Sequence, residues 1–583
     1  MTLEQIILVI LLITLFGIFA LERFRIEAVA VAGLMAAFAA GLVPASSVFS
    51  GLAHPAVITV AEILILVGAL QASHFLDRAA EFLTVRIKSY QVLLLFLCGI
   101  AGSVSVFMNN IGALALMIPL VTAVSERSGI PLSRLLMPIS FATLLGGTCS
   151  LIGTPANLIV SDVLLEETGT GLGFFEFAKV GLPALFVGLA VIVLFVPRLL
   201  PAVKLQGDDG APETASLTDR LILEARVPPQ SSLAGTFLPL AEASLGGRIE
   251  SVRRNELFVF GKRETIRIEP GDDLLLEGDR EKLEQLIKSG MLQTGLAPKG
   301  SGSAQGAAVV VPESVILGSR ISTLEGFEEL GVRIVAITSP RKRLEGSFSD
   351  IQLAVGDVIH LAGPERAIEA AIRDHSLLGV SSRSDVLALR TSLPPLAAFF
   401  GAVALSASGL LRPELAFGAV IAALVIGGQL DLTAAIRRLN WPILVMLAAM
   451  IPIGAAVETT GMAELIAHTF LDAAPHAGPV FILFAVLLSA VIITPFVNNA
   501  STAIILAPIA YQIAISSGID PAIVLLAVAV GVSIDFVTPF GHHNNTIVMG
   551  ISGYRFRDFA IAGFPVLVAV LAACLIALAG LLT

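Results

Sequence analysis

Phe107-Met-Asn-Asn-Ile-Gly-Ala-Leu-Ala-Leu-Met-Ile-Pro119 decides the architecture. It sets two adjacent amides, Asn109 and Asn110, in the middle of an apolar run. A second copy stands far downstream, Phe496-Val-Asn-Asn-Ala-Ser-Thr-Ala-Ile-Ile-Leu-Ala-Pro508, with Asn498 and Asn499 in the matching places. A buried amide without a partner costs roughly 2–7 kcal/mol on transfer scales. Two such pairs at equivalent points of one chain therefore suggest a shared site.

The surrounding sequence is that of a polytopic membrane protein. Of 583 residues, 56% are hydrophobic and only 14% charged, and the mean hydropathy is +0.89. About 20 apolar residues cross the ~30 Å hydrocarbon layer. Apolar segments fall near 5–21, 26–44, 55–74, 91–124, 133–161 and 178–200, then near 393–411, 414–430, 442–458, 478–516, 520–549 and 559–582, on either side of a polar block at 205–385. Equal numbers on the two sides suggest two repeats, 1–204 and 390–583. The first run has no basic stretch before it and is expected to stay as a transmembrane helix rather than be cleaved as a signal peptide. The net charge of −10 gives no sign of nucleic-acid binding. Cys98, Cys149 and Cys574 are odd in number, irregular in spacing and all in apolar segments, so neither a disulfide framework nor a metal set is expected.

Charge bias orients the segments. Arg23, Arg25, Arg86, Lys88, Arg127, Arg134, Arg198, Lys204, Arg437, Arg438, Arg555 and Arg557 mark one side, expected to be cytoplasmic. Asp162, Glu166, Glu167 and Glu176, with the acidic stretch 458–472, mark the other. Segment 91–124 then enters and returns on the cytoplasmic side, and 478–516 does so from outside, which puts the asparagine pairs at the tips of two opposed re-entrant hairpins. Both termini are expected outside and residues 205–385 in the cytoplasm. Non-helical backbone at membrane depth is tolerated only against protein or a wet cavity.

Further pairs support the repeat: His54-Pro55 with Trp441-Pro442, Gly68-Ala69 with Gly454-Ala455, and Ser128-Gly-Ile-Pro131 with Ser517-Gly-Ile-Asp-Pro521. The helix after each hairpin is expected to break at a Thr-Pro, within Gly146-Gly-Thr-Cys-Ser-Leu-Ile-Gly-Thr-Pro-Ala-Asn157 and Gly531-Val-Ser-Ile-Asp-Phe-Val-Thr-Pro-Phe-Gly-His-His-Asn-Asn545. Inverted repeats with paired broken helices point to a midplane site in secondary transporters.

The polar block reads as soluble α/β, bounded by loop-like stretches at 206–216 and 381–395 and divided at 296–306. Two halves, 215–295 and 306–380, each carry a Gly-Asp turn into a strand, at Gly271-Asp272 and Gly356-Asp357, followed by a helix. This pattern resembles tandem TrkA-C domains, the C-terminal lobes of potassium-conductance regulators. The resemblance implies a regulatory module, often dimerising, that takes a nucleotide-like or ionic effector; the alternative is a spacer without ligand.

Amides supply both donors and acceptors, so Asn109, Asn110, Asn498 and Asn499 can meet a cation through oxygen and an anion through nitrogen. Ser105 and Thr494 each stand one turn before an asparagine pair. The breaks add Gly146, Gly147, Thr148, Gly153, Thr154 and Asn157 in the first half, and Ser533, Asp535, Thr538, Pro539, Asn544 and Asn545 in the second. Asp535, with His542 and His543 beside it, is an intramembrane acid and by that fact a candidate for ion or proton coupling. Glu62 and Glu458 are further acids at membrane segments.

Gly146–Val160 and Thr538–Asp558 resemble the signatures of the divalent anion:sodium symporter family, within the ion transporter superfamily that also holds arsenite pumps and sodium/proton antiporters. The likeness covers both membrane halves, and a subgroup carries TrkA-C domains between them. It implies a homodimer in the bilayer, working by an elevator motion, with a small anion flanked by two sodium ions at the Asn110 and Asn499 tips and no other cofactor. The family's tips read Ser-Asn-Thr; here Asn109 and Asn498 take the serine places, while Ile111 and Ala500 replace the threonines. Nearby Ser501, Thr502, Thr148 and Asn157 are candidates to compensate. The expected function is sodium-coupled uptake of a divalent anion, sulfate or a dicarboxylate, across a bacterial inner membrane. A cation/proton antiporter is the alternative. A potassium channel or uptake subunit would need a glycine-rich filter loop, which the sequence lacks; with no nucleophile–base set, an enzyme is not expected.

Overall fold

The computed structural model describes residues 1–20, 25–71, 87, 89–200, 220–255, 257–294, 304–311, 314–339, 346–379, 393–437, 439, 441–539 and 541–582. The expectations for Arg23, Arg86, Lys88, Lys204, Arg438 and the stretches 206–216 and 381–392 lie outside those residues. Among the described residues, seven helices are long and apolar enough to cross a membrane.

The first half opens with α1 (Leu3–Ala20), α2 (Ile26–Ala39) and α3 (Pro55–Gln71). Apart from acids near the starts of α1 and α2 and Glu62 within α3, they are largely apolar, as suits helices between lipid and protein: Ile10 and Ile13 are exposed while Leu8 and Leu34 are buried. The quoted stretch then forms a helix pair. α4 (Tyr90–Phe107) and α5 (Asn110–Ser128) are separated only by Met108 and Asn109. The Tyr90 hydroxyl, at the start of α4, donates to Arg134 O at 2.9 Å, just past the end of α5. The pair therefore returns to the face it left. Next come α6 (Leu136–Gly147) and α7 (Pro155–Thr168), parted by an irregular loop. Pro155 favours extended backbone at Thr154, φ −143° and ψ 149°, because the helical region is disfavoured for the residue before a proline. α8 (Ala178–Leu199) closes this half.

The polar block forms one sheet. Its strands are β1 (Arg220–Arg226), β2 (Gly247–Arg254), β3 (Leu257–Phe258), β4 (Asp273–Asp279), β5 (Gln293–Thr294), β6 (Ala304–Val309), β7 (Arg333–Thr338), β8 (Val358–Gly363) and β9 (Leu378–Gly379), in the order β3-β2-β4-β1-β7-β8-β6-β9 with β5 beside β1. Residues 304–306, read from sequence as part of a divider, are already strand, paired with β8. The two halves meet where β1 pairs β7 at Ile222 and Ile337. Each half repeats one turn. Gly271 and Gly356 have φ of +89° and +86°, which glycine adopts without a Cβ penalty. Asp272 Oδ2 accepts the Glu269 N–H and Asp357 Oδ2 the Ala354 N–H, both at 2.8 Å. The intervening helices are α9 (Leu238–Leu245), α10 (Arg280–Lys288), α11 (Glu325–Glu329) and α12 (Glu365–Asp374).

The second half repeats the first. α13 (Leu393–Ala407), α14 (Pro413–Ile426), α15 (Leu432–Arg437), α16 (Trp441–Thr459) and α17 (Met462–Ala473) lead to a second helix pair, α18 (Pro479–Val497) and α19 (Asn499–Ser517), joined by Asn498 alone. A broken segment follows, α20 (Pro521–Gly531) and α21 (His543–Ser552), and α22 (Phe556–Gly580) ends the fold against α8. The halves interlock, with α7 packed on α19, and α21 on α5 and α6.

Amide hydrogen bonds fix the register between the breaks. Asn157 Nδ2 donates to Gly147 O at 3.1 Å and Ser150 O at 2.7 Å. Asn545 Nδ2 donates to Asp535 O at 2.9 Å and Thr538 O at 3.1 Å. Asn157 thus matches Asn545, Thr154 matches His542 and Gly147 matches Asp535. This corrects the pairing of the two Thr-Pro steps: Thr154-Pro155 starts a helix, whereas Thr538-Pro539 lies inside the loop before one. Proline needs no N–H partner in either place, so the dipeptide alone does not set the register. A signal passed over in the sequence is a glycine laid across each break. A Cβ on Gly181 would lie 2.4 Å from Thr148 O, and one on Gly563 2.0 Å from Phe536 O.

Candidate functional site

Both tips and both breaks line one cavity of about 90 Å³, several times the ~10–15 Å³ that one water needs by the same kind of measure. Its wall is built from four helix N-termini: Asn109–Ile111 at α5, Gly153–Pro155 at α7, Asn498–Ala500 at α19, and Gly541–His543 at α21. Ile443 and Met446 of α16 close one side. Each terminus is capped by its own side chain. Asn109 Oδ1 accepts from Gly112 N at 2.8 Å, Asn498 Oδ1 from Ser501 N at 2.9 Å, Thr154 Oγ1 from Asn157 N at 3.4 Å and His542 Nδ1 from Asn544 N at 3.1 Å. A helix N-terminus carries roughly +0.5 of a charge, so four of them bring about +2 to bear on the cavity, with no lysine or arginine among the described residues of its wall. Asn498 has φ +93° and ψ 160°, outside the regions open to non-glycine residues. Strain of this kind costs roughly 1–3 kcal/mol and clusters at functional sites.

The Asn110 amide joins the halves. Ser105 Oγ donates to its Oδ1 at 2.9 Å, and its Nδ2 lies 3.1 Å from His542 Nε2. A neutral imidazole has one donor and one acceptor. With Nδ1 accepting from Asn544, the proton belongs on Nε2; the amide accepts it once turned by 180°, which reverses the other bond so that Nδ2 donates to Ser105 Oγ. Gly147 makes room for this group: a Cβ there would meet Asn110 Oδ1 at 2.2 Å. Gly147→Ala is therefore expected to push the first tip out of place and weaken substrate binding at least ~10-fold, measured as the rise in half-saturating substrate.

The remaining sequence candidates stand behind the wall. Thr494, Thr148, Ser533 and Thr502 turn their hydroxyls to carbonyls of their own turns, at Ala490, Leu145, Ala529 and Asn498, so they are not brought to the cavity as the spacing suggested. Gly146 packs on the Gly102 backbone, and Pro539 O accepts the Thr546 hydroxyl at 2.6 Å. Asn544 Nδ2 donates to Asn110 O at 2.8 Å and to Thr143 Oγ1 at 2.9 Å, while Ser140 Oγ donates to Asn545 Oδ1 at 2.8 Å. Ser140 and Thr143 were missed; two hydroxyls one turn apart in an otherwise apolar helix were the available signal. Ile111 and Ala500, where hydroxyls were expected, do face the cavity, as do Ile443 and Met446, whose apolar character gave no cue.

Among the buried oxygens of the described residues that have no hydrogen-bond partner, Asn157 Oδ1, Asn544 Oδ1 and Ser501 Oγ stand at the tips and breaks. Asp535 is buried as well, and the Thr538 hydroxyl lies 3.2 and 3.3 Å from its two oxygens. It occupies the place that Gly147 holds in the first half. Among the described residues, no cluster of His, Cys, Asp and Glu suits a metal ion.

Paired hairpins, paired breaks and a cavity between the repeats define a membrane transporter. The citrate transporter family model (CitMHS) matches residues 16–531 and again 478–583, and the chain belongs to that family, within the ion transporter superfamily expected from the motifs. The chain is 27% identical over 571 residues to the uncharacterized transporter sll0640 of Synechocystis, covering 94% of this chain and 92% of that one. It is 28% identical over 289 residues to sodium/sulfate cotransporter 1 of Chlamydomonas reinhardtii, covering 44% of this chain and 31% of that protein. Among solved structures, the Alcanivorax borkumensis YdaH transporter is similar at 14% identity and TM-score 0.45, over 99% of this chain and 97% of that one.

Proposed function

We propose that the chain is a secondary active transporter for sodium-coupled uptake of a divalent anion, sulfate first and a dicarboxylate second. The observation that carries this is the convergence of four helix N-termini on one cavity, with no lysine or arginine among the described residues of its wall. Backbone N–H groups at helix starts favour anions, and about +2 in summed dipole charge suits a dianion. Sodium is the coupling ion, held near the Asn110 and Asn499 tips; the unpartnered oxygens of Asn157, Asn544 and Ser501 are the donors that a hard cation lacks in an apolar interior. The named substrates of the Chlamydomonas cotransporter agree with this reading.

Asp535 supports a second reading, exchange of a cation for protons. A carboxylate buried without a cationic partner at membrane depth needs either a bound cation or a proton. In either case the proposal has the sheet in the cytoplasm of a bacterial inner-membrane protein, a reading that the bias of the basic loops supports. An elevator motion, a homodimer and regulation through a nucleotide-like effector on the sheet complete the proposal, the last from the likeness of its Gly-Asp turns to TrkA-C domains.

Ligand binding to the native state raises stability by RT ln(1 + [L]/Kd). For the purified full chain, sulfate or succinate at a hundred times Kd is expected to add about 2.7 kcal/mol, seen as a higher Tm in sodium and not in choline. Equal shifts in both salts would remove sodium from the proposal, and no shift with either anion would remove the anion.

A further inference from the structure

The sheet does not hang free of the membrane helices. A Cβ on Gly550, in the last turn of α21, would lie 1.8 Å from Gly356 O, and one on Gly356 would lie 2.8 Å from Thr546 O. Backbone therefore meets backbone, an approach only glycine permits. Val309, Val311 and Val358 around this turn belong to the hydrophobic core of the membrane helices, whereas the rest of the sheet packs into two cores of its own. The equivalent turn of the first lobe differs: nothing lies within 4 Å of a Cβ on Gly271. Two turns of one design thus have different surroundings, and the contact belongs to the second alone.

The turn is stiff. Asp357 Oδ2 accepts the Ala354 N–H at 2.8 Å, and Ser339 Oγ donates to Asp357 Oδ1 at 2.7 Å. The other partner is a short rigid rod: the 10 residues of α21 span about 15 Å at 1.5 Å per residue. Its far end supplies His542 and His543 to the cavity, and its Asn544 donates to the first tip at Asn110 O.

We propose that the Ala354–Asp357 turn is a latch on α21, through which the sheet holds the transport site in the conformation described here. This rests on the transporter reading and adds the element by which regulation reaches the site. Close-packed groups do not deform continuously, so a shift of the sheet either carries α21 with it or breaks the contact. An effector that binds the sheet differently in the two arrangements then biases the site. Latching slows the cycle, and release speeds it.

The test uses two variants of the full chain that break the contact from opposite sides. Gly550→Val acts on the helix, and Val311→Asp puts a charge into the apolar seam from the sheet. Size-exclusion profile and Tm check that each folds. Hydrogen exchange is expected to rise at least ~10-fold at 354–357 and also at 541–546, and initial uptake at least ~5-fold. Release of 354–357 with exchange at 541–546 within twofold of the parent overturns the latch, as does a fall in uptake. If the parent carries no tested anion, the transporter reading fails, and exchange at 541–546 still decides the latch on its own.

Discussion

Ile111→Asp is expected to abolish uptake of a dianion, with a loss of about a thousandfold, while Ile111→Thr stays within about fivefold of the parent. Ile111 lines the cavity at the N-terminus of α5. A carboxylate there meets a bound anion at short range. Two unit charges 4 Å apart interact by about 4 kcal/mol at an effective dielectric of 20, and every 1.4 kcal/mol is tenfold in affinity. The same carboxylate also satisfies the helix dipoles that would otherwise hold the substrate. Threonine keeps the β-branch of isoleucine, is smaller by one heavy atom and carries a hydroxyl, so it tests lost volume without charge. Initial-rate uptake of labelled sulfate and succinate by the two variants is the measurement. Equal losses in both would mean that packing, not charge, governs this position.

Asp535→Asn is expected to lower sodium-driven accumulation at least ~10-fold while counterflow of the anion persists. The side chain is buried, and its nearby hydrogen-bonding side chain is the Thr538 hydroxyl. An ionised carboxylate so placed costs several kcal/mol unless a cation accompanies it. The amide keeps the shape and removes the charge, so it uncouples without emptying the anion site. Retained accumulation with only a lower Tm would make Asp535 a helix-end hydrogen bonder. Loss of a pH-dependent cation exchange that runs without anion would favour the second reading.

The sequence exposes some of this architecture and hides the rest, for physical reasons. Paired amides in apolar runs are costly enough to stand out, and Asn109, Asn110, Asn498 and Asn499 do sit together at one cavity. Gly-Asp turns are legible because a positive φ and a capping carboxylate leave little other choice. The register between the breaks was misread, because Thr-Pro serves both a helix start and an extended loop; the deciding groups are the side chains of Asn157 and Asn545, which reach back to carbonyls. The hydroxyls of Thr494 and Ser533 take the carbonyl one turn back as partner, a local bond that residue type and spacing do not reveal. The contact of Gly356 with Gly550 joins parts of the chain far apart, and neither glycine is distinctive in its own segment.

The central claim is an anion site made of helix N-termini and loaded with sodium. Uptake of labelled sulfate and succinate into proteoliposomes, with a sodium gradient and with choline in its place, tests it most directly. The account predicts accumulation of at least one dianion that needs sodium and vanishes in Ile111→Asp. Uptake indifferent to sodium and to both anions would contradict it.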